Sequence, residues 1–140
     1  MDWAALVTWV LTAGGGFVLL AVWLKSGGMK QKERGRIRPV VILSHFALAA
    51  TGLVLWFVYV VSDRQSIAWV AFVLLLIVAA IGFAMLGLWL SQRRRGGDVS
   101  QRAASTPAEQ HFPAAIVGVH GALAATTLVL VFLATIGVGN

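Results

Sequence analysis

The sequence predicts an all-α membrane protein. The architecture is a four-transmembrane-helix bundle, built from a duplicated two-helix hairpin with a pseudo-twofold axis along the membrane normal. Three observations predict it. The 140 residues are 59% hydrophobic and only 11% charged, with a mean hydropathy of +0.88, far from an ordinary soluble domain. Four apolar stretches run over 3–24, 39–61, 66–91 and 113–138, each close to the ~20 residues that carry a helix across a ~30 Å hydrocarbon layer. Finally, the eleven residues from His45 to Leu55 recur from His120 to Leu130 with nine identities.

The first stretch follows Met1 and Asp2 directly. It has no basic leader and no small-residue cleavage site, so it reads as a retained helix, not a signal peptide. The second and fourth stretches open near Pro39 and Pro113, where the missing N–H of proline is harmless. Strands are excluded in all four: open edges are not tolerated in lipid, and the runs lack the alternation of a barrel. The whole chain, 1–140, reads as one membrane domain, with repeat 1 over 1–63 and repeat 2 over 64–140.

The connections carry the charge. Loop 25–38 holds Lys25, Lys30, Lys32, Arg34, Arg36 and Arg38 against Glu33. Loop 92–112 holds Arg93, Arg94, Arg95 and Arg102 against Asp98 and Glu109. The middle connection, 62–66, has one charge of each sign. The positive-inside bias then puts both long loops in the cytoplasm and both termini outside. Pro107 and neighbouring Gly, Ser and Ala suggest a flexible, exposed second loop. A net charge of +6 so close to membrane spans points to topology and anionic headgroups, not to nucleic acid. Cysteine is absent, which removes disulfides, thiolate metal sites and cysteine nucleophiles.

The repeat reaches into the other two helices. Gly16–Leu24 matches Gly82–Leu90 at five of nine positions: Gly, Phe, Leu, Trp and Leu. The offset is 66 residues here and 75 for the histidine motif, so the second loop is longer by nine. With both copies in one orientation, the duplication resembles parallel transporter repeats.

His45 and His120 open the two copies of the long motif. They are the only ionisable side chains deep in the spans, and an intramembrane imidazole is a functional hypothesis by default. Each lies about 9–10 Å into its helix from the starting proline, so a twofold relation gives both one depth and aims both at the axis. Two imidazoles facing each other across a bundle suit the two axial positions of one heme b iron. A bare zinc or copper ion would want further ligands, and the spans hold no other His, Cys, Asp or Glu. Met85 is the one interior soft ligand. A flat macrocycle also needs room. Ala49 and Gly52 follow His45 at i+4 and i+7, and Ala124 and Thr127 follow His120 in the same way. Gly16 and Gly82 fall near the histidine depth. Arg38, Arg36 and Arg93 to Arg95 could meet anionic propionates at the nearer interface, as could His111. Ordinary small-residue packing and histidines that merely hydrogen-bond between helices are the competing readings. Thr51 and Thr126 read as back-bonded to the preceding turn, and most of the six tryptophans as an aromatic belt.

His45, His120, Gly16 and Gly82 together resemble the membrane b-type cytochromes, whose four-helix cores hold heme between helical histidines beside glycines. Gln110-His-Phe-Pro113 and His120-Gly-Ala-Leu123 also resemble small four-span membrane proteins of actinobacteria, which implies a bacterial inner membrane. The cytochrome resemblance implies one bis-histidine heme, held near one face because each histidine helix carries a single histidine. It implies electron transfer with a quinone or a partner redox protein, in a homo-oligomer or larger complex. Paired carboxylates, nucleophile–base pairs and phosphate loops are missing, so the chain reads as an electron-transfer subunit and not an enzyme on its own. The alternative is a non-redox accessory or assembly protein, or a small transporter subunit, with structural histidines.

Overall fold

A computed structural model describes residues 1–30, 37–96 and 107–138, with the side chains of 95 and 96 left aside. The described residues form four long helices: α1 (Asp2–Lys25), α2 (Pro39–Ser62), α3 (Gln65–Gly96) and α4 (Ala114–Thr135). All four are long and apolar enough to cross a membrane. Val7, Val10, Leu11, Val54, Val73 and Val129 are among the many large apolar side chains left exposed. Such helices are apolar all round, and lipid is the solvent that suits them.

Local chemistry sets the helix ends. Pro39 is the first residue of α2 after Arg38 in extended backbone, and Pro113 precedes α4, as the fixed φ of proline favours. Between α2 and α3 lie only Asp63 and Arg64. Asp63 takes φ 55, a left-handed conformation open to Asp, and donates its N–H to the Tyr59 carbonyl at 2.8 Å. That turn lays α3 back along α2. α3 runs on to Gly96, longer than its apolar stretch, so its last turn carries Arg93 and Arg94 on helix where the sequence suggests loop.

The helices form a ring in chain order, in which α1 packs most extensively on α4 and α2 on α3. Both tight pairs are antiparallel and join one helix from each hairpin. The main core lies toward the end holding the α2–α3 turn. Trp9, Trp56 and Tyr59 fill it with Ala5, Leu6, Ala68, Ala71, Leu75, Val131 and Ala134. Trp56 meets Trp9 at 6.4 Å and Tyr59 at 4.8 Å between ring centroids. Side-chain N–H groups cap this end: Trp56 Nε1 donates to the Asp2 carbonyl at 3.3 Å, and Gln65 Nε2 to the Thr135 carbonyl.

The opposite, basic end is closed by different means. Trp23 is buried over Gly28, where an ideal Cβ would fall 2.1 Å from Trp23 Cε2; only glycine fits under the indole. A short 3-10 turn, Ala108–His111, precedes α4. Ala108 and Glu109 are fully buried in it, so this part of loop 92–112 is not exposed as the composition suggests. Glu109 Oε1 accepts from the Ile37 N–H at 3.4 Å and from Gln92 Nε2 at 3.2 Å. Trp89 Nε1 donates to the Glu109 carbonyl at 3.0 Å. The expected flexibility of 97–106, and the charges of Lys32, Glu33, Arg34, Arg36, Asp98 and Arg102, lie outside the described residues.

The expectation that most of the tryptophans form an aromatic belt needs correction. Trp3 and Trp69 are exposed, as belt residues would be. Trp9, Trp23, Trp56 and Trp89 are buried in the protein: Trp9 and Trp23 lie over Gly52 and Gly28, and Trp56 and Trp89 donate their indole N–H to the Asp2 and Glu109 carbonyls.

Candidate functional site

α2 and α4 stand across the ring from each other, and each turns its histidine inward. The His45 and His120 ring centroids are 6.5 Å apart with an interplanar angle of 65°. Both side chains are half-buried.

His120 is fixed by its neighbour α1. Its Nδ1 lies 2.9 Å from the Thr12 carbonyl oxygen. A carbonyl only accepts, so Nδ1 carries the proton and donates it. In the neutral ring Nε2 is then the lone-pair nitrogen, free to ligate. Thr12 can offer this carbonyl because Gly15 and Gly16 leave room for the ring one turn on. An ideal Cβ on Gly16 would fall 3.2 Å from His120 Cε1, and one on Gly15 would fall 3.5 Å from Nδ1.

His45 sits in the same kind of place on α3. An ideal Cβ on Gly82 would fall 3.3 Å from its Cε1. The Val78 carbonyl, four residues before Gly82, is close enough to act on the ring. The contact falls short of hydrogen-bond geometry, and among the described residues Nδ1 of His45 is buried with no hydrogen-bond partner. Each histidine therefore packs against a glycine of the helix it pairs with: Gly16 of α1 serves His120 and Gly82 of α3 serves His45. Sequence spacing gave the matching depth but could not give this crossed pairing.

The layer around the histidines is packed differently from either end. Residues 10–22 of α1, 39–51 of α2, 79–88 of α3 and 114–126 of α4 include none that is buried. Buried side chains resume only at Trp9, Gly52, Val78 and Thr127 on one side, and at Trp23 and Trp89 on the other.

The four small residues expected beside the histidines divide. Ala49 and Ala124 are half-buried at the histidine level. Gly52 belongs to the core instead, with the Trp9 indole over it; an ideal Cβ there would lie 2.9 Å from Trp9 Cζ2. Thr127 is buried and shares a 3.1 Å hydrogen bond with Thr12 Oγ1, while donating to its own Leu123 carbonyl. Thr51 and Thr126 bond back to Ala47 and Ala122. Arg38 is exposed at the start of α2, and His111 is exposed in the 3-10 turn. Arg93 lies over the Trp89 ring, 4.8 Å from its centroid. Among the described residues no cluster of three or more His, Cys, Asp or Glu is found.

Glu109 is the residue the sequence reading missed. It counted only as an acid offsetting loop arginines, yet it ties Ile37, Trp89 and Gln92 together. Its one sequence signal is position, four residues before the proline that starts α4.

No protein-family model, curated protein or solved structure matches this chain.

Proposed function

We propose that this protein holds one heme b between His45 and His120 and transfers electrons, exchanging them with a quinone or a partner redox protein. The facing of the two imidazoles carries the reading. His45 and His120 would hold the group from two sides: metal–imidazole bonds of about 2.0–2.1 Å, plus roughly 1.1 Å from each nitrogen to its ring centre, would need ring centres about 6.3 Å apart. The observed separation is 6.5 Å. The bond from His120 Nδ1 to the Thr12 carbonyl supports it further, since ligating histidines donate their other ring N–H to such an acceptor. The absence of buried side chains throughout the histidine layer suits a large apolar group more than a bare ion.

Heme supplies a one-electron couple at its iron. The chain's own part is to present Nε2 of His120, to hold each ring against a glycine, and to keep the layer apolar. With both His45 and His120 engaged in holding it, the group would supply electron transfer and not oxygen chemistry. Ala49, Ala124 and Arg38 stand as flanking contacts. Gly52 and Thr127 act through the core.

The crossed contacts, Gly16 with His120 and Gly82 with His45, also support the duplicated hairpin with an axis along the membrane normal, because exchanging the two repeats exchanges the two contacts. The loop charges support cytoplasmic basic loops and external termini.

Visible spectroscopy tests the proposal. Purified protein, supplemented with heme, is expected to give a low-spin b-type spectrum that changes on reduction. His45→Ala and His120→Ala are each expected to abolish it. A folded but colourless protein overturns the heme reading, and leaves the histidines as hydrogen-bonding packers of α1–α4 and α2–α3.

A further inference from the structure

The two repeats differ at two of eleven motif positions, and one of them opens a groove. In repeat 1, Phe46 follows His45 and packs edge-on against Phe17, with centroids 5.1 Å apart at 79°. In repeat 2 the residue matching Phe46 is Gly121, and the residue matching Phe17 is Phe83, which is 67% exposed. One turn earlier, Gly118 stands where repeat 1 has Leu43. An ideal Cβ on Gly118 or Gly121 meets nothing within 4 Å. The result is a groove of about 650 Å³ between α3 and α4, with Phe83, Trp89, Gly118 and Gly121 in its wall and Arg93 and Arg94 at its basic end. Along α4 it runs from Ala114 to Ala125, about 16 Å of helix. The volume falls in the usual range for a bound small molecule.

We infer that this groove holds one acyl chain of an anionic phospholipid, with the phosphate of the headgroup on Arg93 and Arg94. The apolar wall lies along the helices, as an acyl chain does in a bilayer. Among the described residues the only charges lining the groove are two cations, and they sit at one end. That polarity matches a molecule with an apolar tail and an anionic head, and not a neutral amphiphile. Arg93 is held over Trp89, which positions its guanidinium at the mouth. The inference is independent of the heme, and its readout needs no pigment.

Native mass spectrometry of the purified chain tests it, with dioleoyl phosphatidylglycerol and dioleoyl phosphatidylcholine as probes. The wild type is expected to retain one phosphatidylglycerol in preference to phosphatidylcholine. Gly121→Phe and Gly118→Leu, each copying repeat 1, are expected to remove that retained lipid without lowering the unfolding temperature. The double variant Arg93→Gln, Arg94→Gln is expected to keep a lipid but to lose about tenfold in preference for the anionic one. Retention of phosphatidylglycerol by both filled variants overturns the inference, as does a wild type with no headgroup preference. So does a dimeric wild type that Gly121→Phe turns into a monomer, which would assign the groove to a second copy of the chain.

Discussion

Three consecutive glycines in α1 offer a graded test of the histidine contact. Gly14, Gly15 and Gly16 share one helix and one chemistry, so replacing each by alanine changes intrinsic helix stability by the same amount. That gain is about 1 kcal/mol. What differs is the space. A Cβ at Gly14 meets nothing within 4 Å, at Gly15 it meets His120 at 3.5 Å, and at Gly16 it meets Cε1 of His120 at 3.2 Å. The first is open, the second is an ordinary contact, and the third requires the imidazole to move by a few tenths of an ångström. His120 cannot yield freely, because its Nδ1 is tied to Thr12. Overpacking of this kind costs about 1–3 kcal/mol. Gly14→Ala and Gly15→Ala are therefore expected to stabilise the protein by up to about 1 kcal/mol. Gly16→Ala is expected to fall below both by about 1–3 kcal/mol. Equilibrium unfolding in mixed lipid–SDS micelles measures the ranking. Equal effects at all three positions would refute the packing of His120 on Gly16. The same logic makes Gly82→Ala worse than Gly87→Ala, since a Cβ at Gly87 meets nothing.

Three more outcomes can be checked. Glu109→Ala leaves the Ile37 N–H and the Gln92 amide without their carboxylate partner, and is expected to cost about 1–3 kcal/mol in the same unfolding assay. Thr127→Val removes the bond to Thr12, but the Thr12 hydroxyl can give its one proton to the Thr8 carbonyl instead; the expected loss is about 0.6 kcal/mol or less. Because the chain has no cysteine, single cysteines report topology cleanly: a membrane-impermeant maleimide is expected to label Ser66→Cys in intact cells and to label Ser26→Cys only after lysis.

The four spans were legible in the sequence because lipid demands a fixed length of apolar helix, and their bounds fell within a few residues of those expected except at the far end of α3. The facing of His45 and His120 was legible through the repeat, since matched sequence at matched depth implies matched direction. Less could be read about which faces pack. Helices that are apolar all round carry no stripe pointing to the core, so Trp9 over Gly52, Trp23 over Gly28 and the crossed glycine–histidine contacts had no periodic signal. Small residues at helical spacing from the histidines pointed to a slot, yet Gly52 and Thr127 are engaged elsewhere, because an indole and a threonine hydroxyl reached them first. Glu109 was hidden for a further reason: its burial depends on two loops meeting, and neither loop shows this alone.

The tight pairing of α1 with α4 has a consequence for how the protein is made. Of the four helices, α1 enters the membrane first and α4 last. Until α4 arrives, α1 lacks the partner for Thr12, Gly15 and Gly16, while α2 and α3 can already dock through their short turn. The first helix thus waits through the synthesis of about a hundred residues, held only by lipid and by its looser contact with α2. A ribosome stalled before α4 would leave a membrane-inserted chain with α2 and α3 paired and α1 without its main partner.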